Sequence, residues 1–265
     1  MTEMHFSIQF VGTGNAWSKP PINYNTNAVV RFQGHTWLID CGLLCPLGLC
    51  DMGVSQSLIE GVFISHLHGD HVSGLEELLY TNYFAFQKRI DLWLPEGLLR
   101  SHSNYEGSDI WDNCLRASME TSIHGHKKLL ALEDYADIHV LSPDNPAPVY
   151  GLRCEVFHVE HVQTRPSYGL ILDDRVAYTS DCSFSKKRIE KLLNRGIETI
   201  FHEVTFTPAM AHNIHTSFEE LTSLPREIAE HMILMHYGDM SSLDDFKKAE
   251  DCGFRIAKRA IVYEF

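Results

Sequence analysis

The sequence predicts an α/β protein in which two β-sheets pack face to face with helices outside. Three observations carry that expectation. Short apolar runs with strand-like alternation recur along the chain, and toward the C-terminus they alternate with segments of helical periodicity. They form two sets, one in the N-terminal part and one from Gly151 onward, each accompanied by helical patterns. No linker, low-complexity tract or repeat of roughly 20 to 50 residues separates the sets, so residues 1–265 read as a single domain.

Taken in order, "FSIQFVG" alternates toward a turn at Gly12-Thr13-Gly14, and "NAVVRF" and "HTWLID" flank Gln33-Gly34 as the arms of a hairpin. "GVFIS" reads as a buried strand and "GLEELLYTNYFAFQ" as a helix, with apolar residues three and four apart. Between Ile90 and Tyr150, "IDLWLPE" and "DIHVLSP" have strand character, while Gly97 to Leu132 holds helical fragments and polar turns whose order the pattern does not assign. "LRCEVFHVEH" is a strand, and "YGLILD" and "VAYTSD" form a second hairpin around Asp173-Asp174. "SKKRIEKLLNRG", "IETIFHEV", "SFEELTSLPREIAEH", "MILMHYG", "SLDDFKKAEDCG" and "AIVYEF" then alternate helix and strand, with Ser217 and Glu220 forming a capping box.

Composition narrows the setting. A chain of 265 residues with 44% hydrophobic content can bury a full core. Its 22 basic against 35 acidic residues give a net charge of −13, which repels phosphate backbones and makes long nucleic acid an unfavourable partner. The start, "MTEMHFSIQFVGTG", lacks a basic segment followed by an apolar one, and nowhere do roughly 18 apolar residues run together, so a cytoplasmic protein without a membrane span is expected. The spacing of Cys41, Cys45 and Cys50 in "CGLLCPLGLC" fits neither a zinc ribbon nor a paired-disulfide framework. Reduced thiols in an apolar loop under the core are expected there.

The chemistry concentrates in "ISHLHGDHVSG", Ile64 to Gly74, on a strand-to-helix loop. His66, His68, Asp70 and His71 cannot all point one way on a regular strand or helix, but a tight loop containing Gly69 can splay them. Imidazole and carboxylate suit Zn²⁺ and similar ions, and N/O donors split into two groups suit a two-metal centre. His66 and His68 would take one ion, Asp70 and His71 the other. The further donors such sites need stand at the ends of predicted strands: His161, Asp181 and His236.

With these residues the chain resembles the metallo-β-lactamase fold, whose H-x-H-x-D-H signature stands here as His66 to His71. The resemblance covers nearly the whole chain and implies a four-layer αβ/βα sandwich with two Zn²⁺ at one edge, Mn²⁺ or another divalent ion being the alternative. By that resemblance His66, His68 and His161 hold the first ion, Asp70, His71 and His236 the second, and Asp181 bridges. His158 competes with His161, which is preferred because "HVQTRPSYGLIL" follows the family's pattern after a ligand histidine. Asp40 in "WLIDCG" matches a family position that supports the site without ligating metal.

Further motifs select a branch. "FHEVTF" and "HNIHTSFEEL" resemble the paired motifs of ribonuclease Z and its relatives, with His215 lying 21 residues before His236. The resemblance implies that His215 contacts the scissile phosphate and protonates the leaving oxygen. Glu203 would orient that imidazole, and Asp70 could accept the proton of the attacking water. Enzymes of that branch that process tRNA carry a long arm, commonly between the ligand histidine and the bridging aspartate. Here Asp181 stands only 20 positions after His161, and a hairpin fills the interval. The expected substrate is therefore a small phosphodiester, as in the arm-less cyclic-nucleotide phosphodiesterases of anti-Pycsar type, which degrade cyclic pyrimidine nucleotides used in bacterial Pycsar defence. Homodimers are frequent among those relatives. The alternatives are a tRNA 3′-processing endonuclease, a lactonase or thioesterase, for which the Glu203 and His215 pair has no obvious purpose, and a non-catalytic metal-stabilised binding protein. Polar and aromatic residues in "NYNTN" and in Ser101 to His126 are candidate base contacts, although for His124 and His126 a solvated turn is preferred.

Overall fold

The computed structural model describes residues 5–99, 109–122, 129–143, 145–207 and 214–265, and among these the strands sort into two seven-stranded sheets. The first contains β1 (Phe6–Gly12), β2 (Asn27–Phe32), β3 (His35–Ile39), β4 (Gly61–Phe63), β5 (Ile90–Pro95) and β6 (Ala136–Leu141). The second contains β7 (Ala147–Val149), β8 (Leu152–Val159), β9 (Ser167–Leu172), β10 (Val176–Tyr178), β11 (Thr199–Glu203), β12 (Met232–Met235) and β13 (Arg255–Ile256). The last strand, β14 (Val262–Glu264), returns to pair with β1.

Each sheet begins antiparallel and ends parallel. β1, β2 and β3 form a meander, after which β3, β4, β5 and β6 run parallel; β7 to β10 are antiparallel, after which β10 to β13 run parallel. Parallel neighbours need crossover connections. In the second sheet these contain the helix Lys186–Asn194, the short helices Phe218–Leu221 and Arg226–Ala229, and the helix Leu243–Asp251.

Period-two alternation sorts the side chains into layers. Trp37 and Ile39 of β3, Phe201 of β11 and Ile233 and Met235 of β12 enter the core between the sheets. Their neighbours face the other way: Leu38 packs under the helices of the first sheet, and Ile200, Met232 and Leu234 under those of the second. Both faces of each sheet are thus covered, giving helix, sheet, sheet and helix in four layers. Burying a side chain the size of Phe201, which is fully enclosed, stabilises by roughly 1.5–3 kcal/mol.

Some predicted elements are revised. "SFEELTSLPREIAEH" forms two short helices because Pro225 has no N–H to donate and its ring obstructs a continuous helix. The cysteine segment is a helix, Cys45–Asp51, with Pro46 preset for its first turn; Cys41 and Cys45 are buried and Cys50 is exposed. The helix after the histidine loop ends at Tyr80 and continues as a wider turn to Ala85. No helix among the described residues is long and apolar enough to cross a membrane.

Candidate metal centre

Strand ends deliver the polar side chains singled out in the sequence. His66 lies beyond β4, His161 beyond β8 and Asp181 beyond β10; Glu203 closes β11 and His236 follows β12. Ligand sites of open α/β sheets form at such carboxyl ends. Three exits there, Asp40, Ser180 and His236, hold left-handed backbone at φ 61°, 54° and 60°. Non-glycine residues are disfavoured in that region, and such strain collects at functional sites. The loop from His68 to His71 rests on the turn after β3, where Cys41 N donates to the His71 carbonyl at 2.8 Å. A Cβ at Gly42 would overlap the Asp70 carbonyl, so only glycine lets the two backbones meet.

The donors form two groups. Atoms of His66, His68, His161 and Asp181 all lie within 4.8 Å of one another, and so do those of Asp70, His71, Asp181 and His236. Asp181 belongs to both. Its Oδ2 lies 3.9 Å from His66 Nε2 and 4.0 Å from His161 Nε2, whereas its Oδ1 lies 3.2 Å from His71 Nε2 and 3.3 Å from His236 Nε2. One carboxylate therefore turns an oxygen toward each group. Asp70 Oδ2 completes the second group, 3.4 Å from His71 Nε2 and 3.3 Å from His236 Nε2.

Outer hydrogen bonds fix the rings. Nδ1 of His71 donates to Asp40 Oδ2 at 2.7 Å, and Nδ1 of His161 to the Ile214 carbonyl at 2.8 Å, leaving each Nε2 lone pair for the centre. Asp40 accepts in addition from Ser65 N and Ser65 Oγ, and Ser180 Oγ donates to Ser65 Oγ. Asp40 thus orients the His71 ring and contacts the cluster through it.

The residues fit a bound cation. His66 Nε2 and His71 Nε2 are buried and make no hydrogen bond, although carboxylate oxygens lie close to both. Burial, aided by the neighbouring histidines, lowers His66 and brings His68 to about 4, so both are neutral imidazoles, the form that ligates. His71 and His236 move the other way, the latter to about 10. Burial opposes a proton on either ring, but the charges of Asp181 and Asp70 outweigh it. The carboxylates of Asp70 and Asp181 thus draw positive charge onto these rings, and a divalent ion among the same N/O donors would supply it.

His215 and Glu203 stand beside the first group. His215 Nδ1 donates to Glu203 Oε2 at 2.7 Å and lies 3.9 Å from Asp181 Oδ2. Glu203 is fully buried; its Oε1 accepts from Cys182 N, and its Oε2 lies 3.4 Å from His236 Nδ1. Burial opposes a charge on His215, but the hydrogen bond and charge of Glu203 prevail and raise its pKa. His158 is exposed, packs against Tyr168 and stands outside both groups.

A cavity of about 70 Å³ opens onto this cluster, lined by His68, Asp70, Asp181, Glu203, His215 and His236, with Asn15, Ala16, Trp17 and Thr205 at its rim. The expectation for "NYNTN" is corrected here. Tyr24, Asn25 and Asn27 are buried and held by protein partners, Tyr24 by Asp51, Asn25 by the Asn15 carbonyl and Leu44 N, Asn27 by Gly42 N. They have no face left for a base. Within 101–126, residues 101–108 and 123–126, His124 and His126 included, lie outside the described residues. The rim residues Asn15 to Trp17 were not singled out in the sequence; their signal was a tryptophan in "GTGNAWSKPP", with only Ala16 as a small apolar neighbour.

The fold and this cluster can be set against known proteins. The metallo-β-lactamase fold protein YhfI from Bacillus subtilis superposes with a TM-score of 0.71 at 16% identity, over 98% of this chain and 100% of that one. Human tRNase Z, short form, gives 0.64 at 21% identity over 97% and 98%. These likenesses establish the metallo-β-lactamase fold. The anti-Pycsar protein Apyc1 of Paenibacillus sp. (strain J14) is 34% identical over 250 residues, 93% of this chain and 94% of its own. The family model described as Anti-Pycsar protein Apyc1 matches residues 6–262, which include every candidate donor described above, and the chain belongs to that family.

Proposed function

We propose that the chain is a metal-dependent phosphodiesterase that hydrolyses a small cyclic nucleotide. The observation that carries this reading is the Asp181 carboxylate, divided between two groups of donors, with the His215–Glu203 pair on the same cavity. His66, His68 and His161 would hold one ion, Asp70, His71 and His236 the other, and Asp181 both; Zn²⁺ suits these donors, with Mn²⁺ or another divalent ion as the alternative. When bound, such a pair supplies positive charge to the phosphoryl oxygens and lowers the pKa of water. On this reading Asp70 accepts the proton of the attacking water. His215, held by Glu203, gives a proton from Nε2 to the departing ribose oxygen, which is too poor a leaving group to go unprotonated. The buried Glu203 keeps that imidazole oriented and favours its charged form.

Two features support a small substrate. The 19 residues between His161 and Asp181 are largely taken up by β9, a turn at Asp173-Asp174 and β10, with no room for a tRNA-gripping arm. The family is named for action against Pycsar, and the arm-less enzymes resembled by the sequence degrade cyclic nucleotides. A cytoplasmic location and a homodimeric assembly, the latter frequent among the relatives that the sequence resembles, complete the proposal. The test compares turnover of cyclic mononucleotides, bis-p-nitrophenyl phosphate, a precursor tRNA, a lactone and nitrocefin by protein purified without chelator. Hydrolysis of the cyclic nucleotides, with close to two ions per chain, is expected. Efficient cleavage of the tRNA or the lactone with cyclic nucleotides untouched would overturn the reading.

A further inference from the structure

The rim of the cavity carries a side chain whose exposure folding does not explain. Trp17 is 70% exposed, yet it lines the same cavity as His68, Asp181 and His215. An indole left in water is a large unpaired apolar face, and beside a polar site it is a place for a flat ligand group.

Its backbone is tied to the metal centre. Gly14 bridges to Tyr237, the residue after His236, where Tyr237 N donates to the Thr13 carbonyl at 3.2 Å and Thr13 Oγ1 to Tyr237 Oη at 2.7 Å. On the far side of Trp17, Lys19 N donates to Asp239 Oδ2 at 2.6 Å. Asn15 closes the loop: its Oδ1 accepts from Trp17 N at 3.0 Å, its carbonyl from Ser18 N at 3.1 Å and from Asn25 Nδ2 at 3.1 Å. The loop therefore grips residues 237–239 on both sides of Trp17, and its position relative to His236 is set by one backbone hydrogen bond and two that involve side chains. A cyclic nucleotide makes that demand, because its base stands at a short and nearly fixed distance from its ring phosphate.

We propose that Trp17 is the base-stacking platform of this site, taking the face of the nucleobase while the phosphate lies at the His and Asp cluster. This rests on the phosphodiesterase reading and adds the residue that contacts the base. A stacking platform accepts every base, since each has a π-face, so Trp17 supplies affinity for nucleotides without choosing among them.

The experiment compares wild type, Trp17→Ala and Trp17→Phe on a cyclic purine nucleotide, a cyclic pyrimidine nucleotide and an abasic control, 1-O-methylribose 3′,5′-cyclic phosphate. Trp17→Ala should raise KM for both nucleotides by roughly 5- to 150-fold, as expected for one lost stacking partner, with kcat much less changed. The abasic substrate should be indifferent to the substitution, and Trp17→Phe should recover most of the loss. Bound metal and circular dichroism should match wild type, because the indole supports no core. Equal losses on the abasic and nucleotide substrates, or unchanged KM on both nucleotides, would overturn the platform while leaving the phosphodiesterase standing. Wild-type protein inert toward both nucleotides would overturn the phosphodiesterase and the platform together.

Discussion

In the proposed mechanism Glu203 acts on the substrate only through His215, to which it is hydrogen-bonded, and the two residues can be tested as one unit. Removing His215 deletes the leaving-group acid, which on a cyclic nucleotide should lower kcat by roughly 10²–10⁴, about 2.7–5.5 kcal/mol of transition-state stabilisation. Glu203→Gln is subtler. The amide carbonyl must stay on Cys182 N, since that buried N–H has Glu203 Oε1 as its acceptor, so the NH₂ turns to His215 Nδ1. Two donors then face each other. The imidazole resolves this by moving its proton to Nε2 and accepting at Nδ1, which leaves it neutral and a weak acid. The lost charge-assisted hydrogen bond is worth about 1.5–3 kcal/mol, or roughly 10- to 150-fold in rate.

A double-mutant cycle separates this from an independent role of Glu203. If the carboxylate works only through His215, then His215→Ala and the double variant should turn over the cyclic nucleotide at nearly the same rate. With bis-p-nitrophenyl phosphate, whose phenolate leaves unaided, all three variants should stay much closer to wild type. Metal content measured in parallel addresses the one competing path, the 3.4 Å approach of Glu203 Oε2 to His236 Nδ1. Losses that multiply in the double variant, or metal released by Glu203→Gln alone, would refute the reasoning.

Two further outcomes are expected. Asp181→Ala should abolish hydrolysis with loss of bound metal, because both donor groups share that carboxylate, whereas folded Cys45→Ser should stay active, and an inactive Cys45→Ser with metal retained would give the cysteine helix a role it has none of here. His202, fully buried and donating from Nδ1 to the Glu203 carbonyl, is brought by burial to about 4 from 6.5. The unfolded chain then binds the proton first, so stability is held above pH 6.5 and falls as the pH drops toward 4, by about 1.4 kcal/mol between pH 7.5 and 5.5. Denaturant titrations at those two pH values should show that loss shrinking in a His202→Gln variant, and an equal loss in both proteins would refute it.

The donors were legible in the sequence and the rim was not, for a physical reason. Four of the candidate ligands fall within six consecutive residues, and the others close apolar runs, so local pattern alone marks them. The layers were legible on the same terms, since period two decides which of Trp37 and Leu38 faces the other sheet. Nothing local tells that Tyr24 is buried while Trp17 is exposed. Both are aromatics in polar, proline- and asparagine-rich sequence. Tyr24 is enclosed because the helix Cys45–Asp51 presses Gly48 against its ring and Arg259 lies 4.3 Å above it. Trp17 is held out because the chain around it is fastened to residues 237 to 239, more than two hundred positions away. The left-handed exits at Asp40, Ser180 and His236 are hidden in the same way, for none is the glycine that would announce such a turn. Metal chemistry needs donor types at short spacing, which one segment can write. Where a base would lie depends on how two distant loops meet, and only the folded chain contains that contact.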